Sequence, residues 1–176
     1  MNCSIDICRH SKINFDWKTL YVGLKLGLIS YSDISKFAIE YLESHTDSNN
    51  QYIIHLAWDN NDSDCDEILM NVLKESKVNH LFPDSDVWQL EKRKWRFYIL
   101  SYLKNMYQSD FDELLNKIAE VYADMDYPED MDNFINYLTP KDGYNPSQYS
   151  HEENVARLIK FFNNFLNKEQ SYLENV

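Results

Sequence analysis

The chain has 176 residues, with 29 acids against 17 bases for a net charge of −12, 15% aromatics, 3 glycines and 4 prolines. An apolar share of 44% excludes wholesale disorder, and so few turn residues exclude an all-β sandwich or barrel. The negative charge repels phosphate backbones and anionic lipids, so a basic partner is favoured and direct nucleic-acid binding is not expected.

The N-terminal stretch, residues 1–15, carries Asp6 and no long apolar run, so it does not read as a secretory signal. Residues 1–13 are expected as a loose segment. Trp17, Leu20, Tyr21, Leu24 and Leu28 then fall on one face of a first helix, with Gly27 placed to end it. Ser30 and Asp33 look like the cap and first-turn acid of a second helix, which continues through Ile34, Phe37, Ala38, Tyr41 and Leu42. A short third helix covers 51–58, with Ile53, Leu56 and Ala57 inward. A polar break at 59–66 follows, then a fourth helix over 66–76 with Ile68, Leu69, Val72 and Leu73. The fifth helix, about 86–107, is the longest. Its stripe is Trp95, Tyr98, Ile99, Tyr102, Leu103 and Met106.

A sixth helix starts near Ser109 or Asp110 and carries Phe111, Leu114, Leu115, Ile118 and Tyr122. Pro128 suits the first turn of a seventh, with Met131, Phe134, Ile135 and Leu138. The stretch 140–149 reads as a loop. The last helix spans about 150–173 through Val155, Leu158, Ile159, Phe162 and Leu166. No segment alternates over a strand length. The expectation is an all-α fold, one domain over residues 1–176, with about eight helices packed as hairpins. Trp17, Trp58 and Trp95 are spaced by 41 and 37 residues, but their flanks do not repeat, so a solenoid is not favoured.

Common catalytic constellations are missing. Gly23, Gly27 and Gly143 form no phosphate-cradling cluster, and no Glu-x-x-His or His-Glu-x-x-His occurs. Cys3, Cys8 and His10 lie close, but not at a zinc spacing and without a fourth ligand. The run Asp62, Asp64, Asp66 resembles the start of a calcium loop, yet Glu67 stands where the glycine belongs and Leu73 where the closing glutamate belongs. No metal or cofactor is expected. Cys3, Cys8 and Cys65 lack a C-x-x-C pair and read as reduced thiols of a cytosolic protein.

Two charge features remain. Between residues 109 and 132 nine acids face Lys117 alone, beside Tyr122 and Tyr127, with Tyr137 just beyond. These are either solvated first-turn acids or an anionic docking surface with tyrosine anchors. Lys92, Arg93, Lys94 and Arg96 form a basic run near Trp88, Trp95 and Phe97, for which pairing with the chain's own acids, or plain solvation, is the default and nucleic-acid contact the alternative.

The run from Leu114 through Tyr122, Asp124, Tyr127-Pro128-Glu129-Asp130, Phe134 and Tyr137 resembles the signature of a small bacterial all-helical family of uncharacterised domains. Trp17, the stretch from Gly23 to Ser30, and Lys94-Trp95 are similar to it too. That resemblance implies an association with polymorphic-toxin and contact-dependent growth-inhibition loci. The role there is that of an immunity protein, whose cognate toxin domain is a basic nuclease, RNA- or tRNA-cleaving by preference. The expected function is a non-enzymatic, cytoplasmic inhibitor that covers the toxin's active site or nucleic-acid groove. Expected contacts are Asp59, Asp62 and Asp64 on the first acidic break, and Tyr122, Asp124, Asp126, Tyr127, Glu129 and Asp130 on the second. The alternatives are an interaction adaptor unrelated to toxins and a carboxylate-based metal enzyme.

Overall fold

The fold was obtained as a computed structural model describing residues 3–9, 11–58, 64–78 and 81–176. It is all-α, as the periodicity requires. Seven α-helices and three 3-10 helices occur among the described residues, with no strand. The helices are α1 (Trp17–Lys25), α2 (Tyr31–Ser44), α3 (Gln51–Trp58), α4 (Cys65–Glu75), α5 (Asp86–Met106), α6 (Phe111–Asp124) and α7 (His151–Leu173). None of them is long and apolar enough to cross a membrane. Two compact units are present, Met1–Trp95 and Arg96–Val176, and the boundary falls within α5.

In the N-terminal unit α1 packs on α4, and α3 on both α2 and α4. Local chemistry starts and stops these helices. Asp16 accepts from the backbone of Lys18 and Thr19 to cap α1. The Asp33 carboxylate accepts from both the N–H and the hydroxyl of Ser30 at the start of α2. Helix α1 ends in a Schellman turn. The Leu28 N–H reaches the Gly23 carbonyl, the Gly27 N–H reaches that of Leu24, and Gly27 is left-handed at φ 67°. Within the N-terminal segment, among its described residues, Ile5, Cys8 and Ile13 are buried and a 3-10 helix runs over Ile5–Cys8. His10 lies outside the described residues, and all three cysteines are free thiols.

The centre of this unit is Trp95. Its indole N–H donates to the Thr19 carbonyl at 2.7 Å, and its ring lies so close to Gly23 that a Cβ there would stand 2.3 Å from it. Around it Glu91 is wholly buried. The Thr19 hydroxyl donates to Glu91 at 2.6 Å and the Lys94 ammonium at 3.0 Å. A carboxylate out of water is tolerable only when it is paired in this way. The tryptophan spacing has no structural counterpart, because Trp17 and Trp95 are buried whereas Trp58 is 82% exposed.

In the C-terminal unit α7 packs on α6 and on a 3-10 helix over Glu129–Phe134. Phe134 sits between Phe162 and Phe165, with ring centroids 5.6 and 5.1 Å away. Asp110 caps α6, and Ser150 with Glu153 forms a capping box on α7, the starts the sequence indicates. The expected seventh α-helix is the 3-10 helix. Its apolar pair Met131 and Phe134 is spaced i, i+3, which eclipses in a three-residue turn, so both side chains are buried without an α-helix. Ile135 is already extended at ψ 121° and Leu138 lies beyond the helix. In α5 the expected stripe runs out at its C-terminal end, where Tyr102 and Met106 are exposed.

Candidate protein-docking surface

Helix α6 ends in the same Schellman geometry as α1. The Tyr127 N–H bonds the Tyr122 carbonyl at 2.9 Å and the Asp126 N–H bonds that of Ala123 at 3.2 Å. Here the left-handed position holds Asp126, at φ 65°, in place of the usual glycine. Tyr127 is left-handed as well, at φ 55°. A bulky residue in that region, directly before Pro128, departs from the extended conformation proline prefers in its predecessor. Such strain costs on the order of 1–3 kcal/mol and persists only where surrounding contacts over-determine it.

Those contacts are visible. Tyr122 is buried, and its ring meets Tyr127 edge-on at 5.3 Å and Tyr137 at 6.4 Å. Its hydroxyl donates to Asp132 at 2.7 Å, and the other Asp132 oxygen accepts from Lys141 at 2.7 Å. The hydrogen bond to a carboxylate, with burial behind it, pushes the Tyr122 phenol up to about 12. The same two partners, Lys141 first, hold the Asp132 carboxyl below its usual range. Tyr122 is thus a fixed base, and Tyr127 and Tyr137 stand on it 61% and 59% exposed.

Two of the acids are tied to named partners. Asp130 takes both ends of the Arg96 guanidinium at 2.7 and 2.6 Å, while Glu169 meets Arg96 at 3.4 Å from the buried side. Arg96 also lies over the Phe165 ring at 5.2 Å. Asp130 and Asp132 therefore brace the surface. Asp124, Asp126 and Glu129 are exposed around the tyrosines. Farther along α6, Lys117 bridges Glu113 and Glu120, which offsets one of their two negative charges.

Of the expected contacts, Asp124, Asp126, Tyr127 and Glu129 share this surface, Asp130 anchors it, and Tyr122 lies beneath it. Asp64 is exposed before α4 in the other unit, and Asp59 and Asp62 lie outside the described residues. Lys94 and Arg96 of the basic run are buried against Glu91, Asp130 and Glu169, which is the pairing expected by default. Among the described residues no group of three His, Cys, Asp or Glu side chains could hold a metal.

The sequence reading passed over Trp58. A signal existed: it lies off the face of Ile53 and Leu56 and immediately precedes the acidic break, which is the position of a surface residue.

Residues 5–170 match the family model DUF2247, described as an uncharacterised protein conserved in bacteria. The chain belongs to this family. The expectation of a bacterial family of uncharacterised helical domains holds at that level. No curated protein and no solved structure matches the chain.

Proposed function

We propose that this DUF2247 protein is a cytoplasmic, non-catalytic immunity protein that neutralises a basic nuclease toxin, in preference an RNA- or tRNA-cleaving one. It does so by covering the toxin's active site or nucleic-acid groove. The observation that carries this reading is the exposed Tyr127–Tyr137 pair, braced from below by Tyr122 and flanked by Asp124, Asp126 and Glu129. A nuclease groove must be positive to attract polyphosphate, and an acidic surface enters the same field with a steered association rate. Tyrosines held in fixed conformations supply the desolvated anchors that charge alone does not. The resemblance described above supports the toxin setting.

Co-expression with a nuclease domain encoded beside the gene tests the proposal. The two chains are expected to co-purify and host growth to be rescued. Tyr127→Ala should weaken the complex by about 2 kcal/mol or more, the scale of an interface hot spot. Asp126→Asn with Glu129→Gln should slow association and flatten its salt dependence, since screening acts over about 8 Å at physiological ionic strength. Absence of co-purification with every neighbouring nuclease, or an association rate indifferent to salt, would overturn the reading.

A further inference from the structure

The N-terminal unit carries an open pocket of about 280 Å3 between the N-terminal end of α1 and the face of α2. That is just below the roughly 300–1,000 Å3 of pockets that enclose drug-sized ligands, so its scale is that of one side chain. Four rings build it: Phe15, Trp17, Phe37 and Tyr41. Trp17 and Phe37 meet edge-on at 4.8 Å, Phe15 and Phe37 at 5.5 Å, and Trp17 and Tyr41 at 5.4 Å. His45 stacks on Tyr41 at 4.1 Å and extends that wall. The charged lining is Asp16 and Glu40, with no lysine or arginine in it.

The geometry points to a binding site for the arginine side chain of a basic partner. Each part of the lining answers a part of that group. A guanidinium is planar and weakly hydrated, so its faces stack on aromatic rings while its N–H edge forks to carboxylates. An ammonium can sit over a ring, as Lys25 does over Tyr21 at 5.5 Å, but it has no planar fork to pair with a carboxylate while it stacks, and an aliphatic side chain adds nothing to the two carboxylates. An anion would meet two like charges. Glu40 already takes one guanidinium nitrogen, that of Arg9, at 2.5 Å. The other internal competitor is Lys18, whose ammonium lies 3.3 Å from Asp16. Neither base lines the pocket. An incoming arginine therefore shares or displaces Arg9 at Glu40, which makes Arg9 a brake on the site.

This goes beyond the docking surface described above, because it concerns a separate pocket in the other unit and its test needs no toxin. The full-length chain, with isotope-labelled tryptophan side chains, is titrated with N-acetyl-arginine methylamide and, in parallel, with the uncharged citrulline and the lysine counterparts. The expected result is a saturable shift of the Trp17 indole in the millimolar range with the arginine probe, leaving Trp95 unmoved. Citrulline should bind several-fold more weakly, and lysine weakly. Glu40→Gln should weaken arginine binding several-fold and Arg9→Ala should strengthen it several-fold. Both substitutions are at the surface, and an unchanged Trp95 resonance reports an intact core. An unmoved Trp17, an equal response to citrulline, or weaker binding in Arg9→Ala would each overturn the assignment. Toxin capture by the C-terminal unit is read separately by co-purification, so failure of one result leaves the other standing.

Discussion

Glu91 in the N-terminal unit and Asp132 in the C-terminal unit each accept from one hydroxyl and one lysine at hydrogen-bond distance, a second ammonium, that of Lys18, standing 3.9 Å from Glu91, and their surroundings differ. Glu91 accepts from Thr19 and Lys94 with no exposure at all. Asp132 accepts from Tyr122 and from a Lys141 whose side chain is 71% exposed. The difference lies in dielectric rather than in geometry. A fully buried carboxylate that loses a partner has no water to replace it, whereas Asp132, its side chain 13% exposed, keeps some access to water. One network therefore belongs to the fold, and the other is positioned to hold a surface in shape.

The sharpest way to break the comparison is to remove the two lysines in turn. Lys94→Met should lower unfolding free energy in urea by about 3 kcal/mol, because it leaves the buried Glu91 charge with the Thr19 hydroxyl and only the more distant Lys18 ammonium, 3.9 Å away. Lys141→Met should leave the urea midpoint essentially where it was. Equal effects would mean that the two networks do not differ as described. Next in size, Gly23→Ala should destabilise by about 1–3 kcal/mol or more, since the new Cβ overlaps a tryptophan held by its own hydrogen bond and the core must shift.

A smaller effect separates stability from binding at the surface network. Asp126→Gly relieves a left-handed non-glycine and should raise stability by about 1 kcal/mol or less, while its lost charge slows association with a basic partner. Thermal unfolding and stopped-flow association read the two arms. A loss of stability would show that the interactions of the Asp126 side chain outweigh the strain of its left-handed backbone.

The finest prediction concerns pH. The folded Tyr122 pKa is raised to about 12. Its contribution is therefore complete below the ordinary tyrosine value, near 10, and is lost as pH climbs from there through the folded value. In a tyrosinate absorbance titration one tyrosine should ionise last, near 12. It should return towards the ordinary range in Asp132→Asn, where the carboxylate that opposes its ionisation is gone.

Parts of this were legible in the chain alone. Gly27 was placed as a helix end, and Ser30, Asp110 and Ser150 as starts, because caps are local chemistry decided within four residues. The stretch after Pro128 was legible as apolar at i, i+3 but not as a 3-10 helix, since Met131 and Phe134 satisfy both periods. At the docking surface the acids were visible as a count. That Asp130 is bound to Arg96 was not, because the two meet across 34 residues of chain. The aromatic pocket was hidden for a related reason. Phe37 and Tyr41 sit on the apolar face of α2, and periodicity marks such a face without saying whether anything covers it.

Composition, helical period and capping residues determined that this protein is all-α, acidic and divided into helices at nearly the observed places, because those properties are set by each residue and its near neighbours. The tertiary structure decided which charges are sealed with partners, as Glu91 and Lys94 are, and which rings stand in solvent, as Tyr127, Tyr137 and Trp58 do. Burial is a property of what packs against a side chain from elsewhere in the chain, and no local rule carries that information.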